Sequence, residues 1–104
     1  MFKWQKKGLI YRPDPKSKWP SHAVLPFLDT EGNSSFIFYG SRTKDNIAYS
    51  FKAKFNYKTY SVSPFNAPVL EPGEIGHFDQ HGAISSSIVT INDIKYLYYI
   101  GWTK

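Results

Sequence analysis

Between Ile47 and Phe55 the side chains change character at almost every step. Ile47, Tyr49, Phe51, Ala53 and Phe55 are apolar, and Ala48, Ser50, Lys52 and Lys54 stand between them. A period of two is the signature of a β-strand, because successive side chains leave the backbone on opposite faces. A helix would instead repeat its apolar residues every three to four positions. The pattern predicts one buried face and one wet face, held in a fixed register, since a slip of one residue would expose the whole apolar set. Residues 35–63 are therefore expected to form three consecutive antiparallel strands, with Ile47, Tyr49 and Phe51 buried.

The rest of the chain reads as strands and turns. Ser21 to Leu28 is a short apolar run that Pro26 interrupts or ends, since proline has no N–H for a sheet ladder. Asp29 to Asn33 is turn chemistry. Ser35 to Tyr39 is a continuous apolar run, as in a strand covered on both faces. Tyr60 and Val62 alternate with small polar residues and read as a sheet edge, and Pro64 to Gly82 reads as a long loop. Ile84–Ile91 and Ile94–Ile100 flank Asn92-Asp93, a two-residue hairpin turn whose residues tolerate positive φ. The second arm is apolar on both faces and should lie inside a stack, with a further neighbour on its edge.

The expected fold class is thus all-β, with four strands in residues 21–63 and two more in 84–104. Four antiparallel strands in that length match one blade of a β-propeller, which takes roughly 40–50 residues. The organisation expected is a basic N-terminal segment (1–20), a first blade (21–63), a loop (64–83) and half of a second blade (84–104).

Charge and composition narrow the function. The 104 residues allow one small domain or a piece of a larger one. Residues 1–18 carry six of the thirteen basic residues and one acid, and the remainder is neutral. The body therefore has no phosphate-tracking stripe, and nucleic acid is not an expected partner. With no cysteine, a disulfide scaffold, a thiolate metal site and a cysteine nucleophile are all excluded. No signal peptide or membrane-spanning run is visible, so the expectation is a cytoplasmic protein without a membrane partner. The aromatic share of 18%, with as many Tyr as Phe, suits strands and surfaces that meet flat polar ligands.

The string from Pro72 to Val89 (PGEIGHFDQHGAISSSIV) resembles the segment PGxxGxFDxxGxxxSxIV of a bacterial group related to the five-bladed β-propeller glycosidases. In that group a strand like Tyr96–Trp102 follows. Trp19-Pro20-Ser21-His22-Ala23 with Pro26, and Tyr39-Gly40-Ser41-Arg42, are similar to its first blade. The wider superfamily includes glycoside hydrolase families 32, 43, 68 and 130. The resemblance runs from about Trp4 to Trp102. It implies a propeller of about 300 residues around a carbohydrate site, of which this chain supplies one blade and half of the next.

Glycoside hydrolysis needs two carboxyl groups flanking the scissile bond. The strand where the resemblance would place the first acid, Ser21 to Pro26, has none, and the general acid is expected from a third blade. The isolated chain is therefore expected to be inactive, and no cofactor is called for. Asp79 is the candidate catalytic residue, facing the channel; the other reading is that it caps its own glycine-bounded loop. His22 is a candidate donor to a sugar hydroxyl or a satisfied structural histidine. Arg42 offers a fixed fork to hydroxyls or carboxylates, or pairs with Asp45. Ser85 on the inner strand is a further candidate for sugar binding. Trp102 would stack on a sugar ring or fill the space between blades. The spacing His77–Asp79–His81 is a weak metal pattern, and no metal is expected. Tyr96, Tyr98 and Tyr99 read as packing. The expected partner is a carbohydrate, with self-association through the C-terminal strand as the fate of an isolated chain. A sugar-binding or assembly module that keeps the fold without the acids is the alternative function.

Overall fold

The computed structural model describes residues 1–19 and 22–104, so Pro20 and Ser21 lie outside the described residues. These residues are all-β: β1 (Val24–Glu31), β2 (Ser34–Arg42), β3 (Ala48–Asn56), β4 (Ser61–Pro64), β5 (Gly82–Ile91) and β6 (Ile94–Trp102). The strand order is β1-β2-β3-β5-β6, with β4 also on β3. Strands β1 to β4 form an antiparallel meander, and β2, β3 and β4 are the three strands expected in residues 35–63, overrunning that span by one residue at each end. Strand β1 runs through Asp29 and Thr30 to Glu31, so the turn shrinks to Gly32-Asn33, with Gly32 at positive φ. Pro26 interrupts β1 without ending it: the register shifts between Val24 and Phe27, and Leu25 takes a φ of 50°. A bulge absorbs the donor that proline lacks.

The outer edge of β3 is shared. Ala53 to Asn56 pair with β4, while Ala48 pairs in parallel with Gly82 at the start of β5. Beyond that point β5 leaves the edge and crosses one face of the meander. Gly40 and Ser50 are register partners, so they face the same side. A Cβ on Gly40 would come within 2.9 Å of the Ile84 side chain. Ser50 Oγ donates to Ala83 O (3.0 Å) and accepts from Ser85 N (2.6 Å). Farther along the same face, Lys95 of β6 pairs with Asp29 and donates to Thr30 O. Strand β5 therefore folds back over β1, β2 and β3 as a second layer there, while the Ala48–Gly82 bridge keeps all six strands in one open sheet and not in two separate ones.

Both faces of β3 are covered near its start. On the odd face Phe51, Ala53, Ile37 and Tyr39 form the core, and Tyr11 and Trp19 pack onto it from the N-terminal segment. Trp19 lies 4.6 Å from Tyr49 and 5.1 Å from Phe51 between ring centroids. On the even face Ser50 is fully buried under β5, so the expected wet face is wet only beyond it. There the Lys52 ammonium stands 4.0 Å from the Phe36 ring centroid and pairs with Glu31. The continuous run in β2 behaves as expected, with Ile37, Phe38 and Tyr39 all buried. Asn92 and Asp93 both take positive φ in the two-residue turn joining β5 and β6.

Strand β6 pairs with β5 and with no other described strand. Ile94, Tyr96, Tyr98 and Ile100 stay about half exposed. Packing between β layers does not cover them in this structure, contrary to the reading of the tyrosines as packing residues. No helix among the described residues is long and apolar enough to cross a membrane.

Candidate functional site

The register gathers four of the five candidate residues at one rim of the two layers. Val24 pairs with Gly40, Arg42 with Ala48, Ala48 with Gly82, and Gly82 with Trp102. The ends of β2 and β6 and the starts of β1, β3 and β5 thus share this rim. His22 precedes β1 here and is half-buried. The loop before β5 closes the same end, because Ala48 N donates to His81 O and His81 N donates to Trp102 O.

Arg42 and Trp102 meet directly. The guanidinium carbon lies 5.6 Å from the indole centroid, and Nη1 donates to Asn46 Oδ1 at 3.1 Å. The indole in turn lies flat against Gly82, where a side chain would have no room. Arg42 and Trp102 both remain partly exposed at the rim, and a guanidinium stacked on a ring can offer donors beside an apolar surface.

Asp79 is buried, with 8% exposure, between two glycines. A Cβ at Gly73 would collide with its carboxylate, and one at Gly101 would sit 2.5 Å from its Cβ. Its carbonyl accepts from Gly73 N (3.3 Å) and Gly82 N (3.2 Å), which closes the loop through the backbone. Its carboxylate accepts the Tyr99 hydroxyl at 3.0 Å. That hydrogen bond holds the Tyr99 phenol above its usual pKa, with smaller contributions from burial and from the carboxylate charge. Tyr99 therefore reaches from β6 to hold Asp79, a role that the sequence did not single out.

Ser85 lies inside the layers and away from the rim. It is fully buried, its amide donates to Ser50 Oγ, and its own hydroxyl has no hydrogen-bond partner among the described residues. His77, Asp79 and His81 do not converge: among the described residues no three His, Asp or Glu side chains are placed to hold a metal. His81 Nδ1 accepts from Lys104 N (3.0 Å) and lies 3.0 Å from Thr103 Oγ1. In its neutral form it therefore carries its proton on Nε2.

The concave surfaces lie elsewhere. One cleft of about 430 Å³ runs between the N-terminal segment and the odd face, lined by Tyr11, Trp19, Tyr39 and Phe65. Another of about 640 Å³ sits at the opposite end of the meander, around Asn33 and Lys58. Tyr39, between the first cleft and the core, has its phenol pKa raised by burial and by its hydrogen bond with Tyr11.

No family model matches this chain. No solved structure matches it. Two uncharacterized proteins of Mycobacterium tuberculosis, one from strain CDC 1551 / Oshkosh and one from strain H37Rv, are each 32% identical to it over 105 residues. The alignment takes in 95% of this chain and 34% of each relative, so the chain spans about a third of the length of the curated relatives it matches.

Proposed function

We propose that the chain is the first blade and the start of the second in a carbohydrate-recognising propeller of the glycosidase type, with its ligand at the rim of His22, Arg42, Asp79 and Trp102. The observation that carries this reading is the placing of the Arg42–Trp102 pair beside the Asp79 loop, where β5 joins β3. Propeller ligands sit where the inner strands of successive blades open onto one axis. The length of the mycobacterial relatives leaves room for the remaining blades.

Recognition without hydrolysis is the second reading, and the state of Asp79 favours it. Its carboxylate is packed between Gly73 and Gly101 and already accepts a phenol hydroxyl, whereas a catalytic acid or nucleophile must reach the glycosidic oxygen or carbon. Binding and turnover of an oligosaccharide panel separate the readings, with saturation-transfer NMR for the first and product analysis for the second. The proposal expects binding that weakens at least tenfold in Arg42→Ala and Trp102→Ala, and no hydrolysis by this chain. Turnover by a full-length mycobacterial relative would restore the catalytic reading for the complete protein. Absence of saccharide binding by both polypeptides would overturn the proposal.

A further inference from the structure

The 640 Å³ cleft at the far end of the meander has a chemistry unlike that of the rim. It is formed where β2 begins and β3 ends, about 25 Å from Arg42 by the rise of a β-strand. Its walls carry Lys54 and Lys58, the polar side chains of Asn33, Ser34 and Ser35, and the ring of Tyr57. No acid lines it. The nearest acids along β1 are already engaged, Glu31 by Lys52 and Asp29 by Lys95. Neither Lys54 nor Lys58 makes an ion pair among the described residues. Two uncompensated ammonium groups therefore flank one concavity.

The local backbone is built, not slack. Asn56 Oδ1 accepts the amides of Lys58 (3.0 Å) and Thr59 (3.2 Å), closing a turn that fixes where Tyr57 and Lys58 leave the chain. Thr59 and Ser61 bridge the base of that turn by their hydroxyls. Facing it, the two-residue Gly32-Asn33 turn fixes the other wall. Tyr57 is 61% exposed, so an aromatic face is available beside the two charges.

We infer that this cleft is a second binding site, for a saccharide bearing an anionic group. Lysines supply point charges with three donors each for the anion. Asn33, Ser34 and Ser35 supply hydrogen bonds for ring hydroxyls, and the Tyr57 ring supplies a stacking face for the sugar. The shared chemistry is an anion fixed to a hydroxylated ring, which a uronic acid carries as carboxylate and a sugar phosphate as phosphate.

The test is a titration of the 104-residue chain, followed by backbone amide shifts, with glucuronic acid, glucose 6-phosphate, glucose and inorganic phosphate. Glucuronic acid or glucose 6-phosphate should shift Asn33, Ser35, Tyr57 and Lys58, and whichever binds tighter identifies the anion. Glucose and inorganic phosphate should each bind at least tenfold more weakly. Lys54→Gln with Lys58→Gln should lower affinity at least tenfold, while Lys6→Gln with Lys7→Gln leaves it unchanged. Retention of binding in a Lys54→Arg, Lys58→Arg variant would separate loss of charge from loss of fold. Equal binding of inorganic phosphate and glucose 6-phosphate would overturn the role of the ring. Equal binding of glucose would overturn the role of the charge. An absence of shifts in the cleft with every probe would overturn the site.

Discussion

The hydroxyl of Ser50 ties the two β layers together, and its removal should be felt well beyond its size. Ser50→Ala deletes a donor to Ala83 O and an acceptor for Ser85 N. Both partners belong to fully buried residues, so neither group can turn to water. Stranding a buried polar group costs about 1–3 kcal/mol, against about 1 kcal/mol for an ordinary net hydrogen bond. With two groups stranded, the expected loss is about 2–4 kcal/mol, a large share of the roughly 5–15 kcal/mol that holds a domain together. Urea unfolding of the variant should show a lower midpoint with an unchanged slope. Exchange of the Ser85 amide with solvent deuterium should accelerate in step. Ser63→Ala, on the exposed part of β4, is the control. A loss for Ser50→Ala of less than about 0.5 kcal/mol, the level of a neutral surface change, would refute the tie.

Further outcomes follow from the same contacts. Gly82→Ala should cost about 1–3 kcal/mol in thermal unfolding, because the Trp102 indole occupies the space its Cβ needs; an unchanged melting temperature would contradict the register of β5 on β6. Tyr39 and Tyr99 have phenol pKa values above the ordinary 10.0, so their neutral forms are favoured by folding. That stabilisation is complete below about pH 10 and is lost as pH rises through the folded-state values. Unfolding followed across the alkaline range should therefore steepen its decline above about pH 10, and Tyr39→Phe with Tyr99→Phe should flatten it. The half-exposed Ile94, Tyr96, Tyr98 and Ile100, on a strand whose outer edge has no partner among the described strands, predict self-association of the isolated chain. Sedimentation should show oligomers that Tyr98→Lys shifts towards monomer, and a wild-type monomer at all concentrations would contradict this.

Local chemistry was legible where it acts within one strand or turn. The alternation from Ile47 to Phe55 located β3, but Ile47 precedes the strand and, of Ile47, Tyr49 and Phe51, only Phe51 is fully buried; Asn92-Asp93 announced a turn with two positive φ angles. Pro26 marked the interruption in β1. Ser50 was not legible, because a period of two assigns a residue to a face without saying what lies over it. Here β5 arrives from more than thirty positions away and turns a polar position into a buried one. The packing of Tyr11 and Trp19 onto the core was equally hidden in a segment that the sequence marked by its basic charge. At the rim, His22, Arg42, Asp79 and Trp102 were readable as residue types, but the contact between Arg42 and Trp102 depends on how β5 docks on β3. Tyr99 was missed because three tyrosines in one apolar strand look alike until Asp79 selects one of them.

The central claim is that these two layered units are consecutive blades of a closed ring. A crystal structure of a full-length mycobacterial relative tests it most directly. The account predicts a ring of five blades in which the segment matching this chain forms the first blade and the inner half of the second, with a further strand paired to the free edge of β6. An open sandwich, or a fold in which a helix covers that edge, would contradict it.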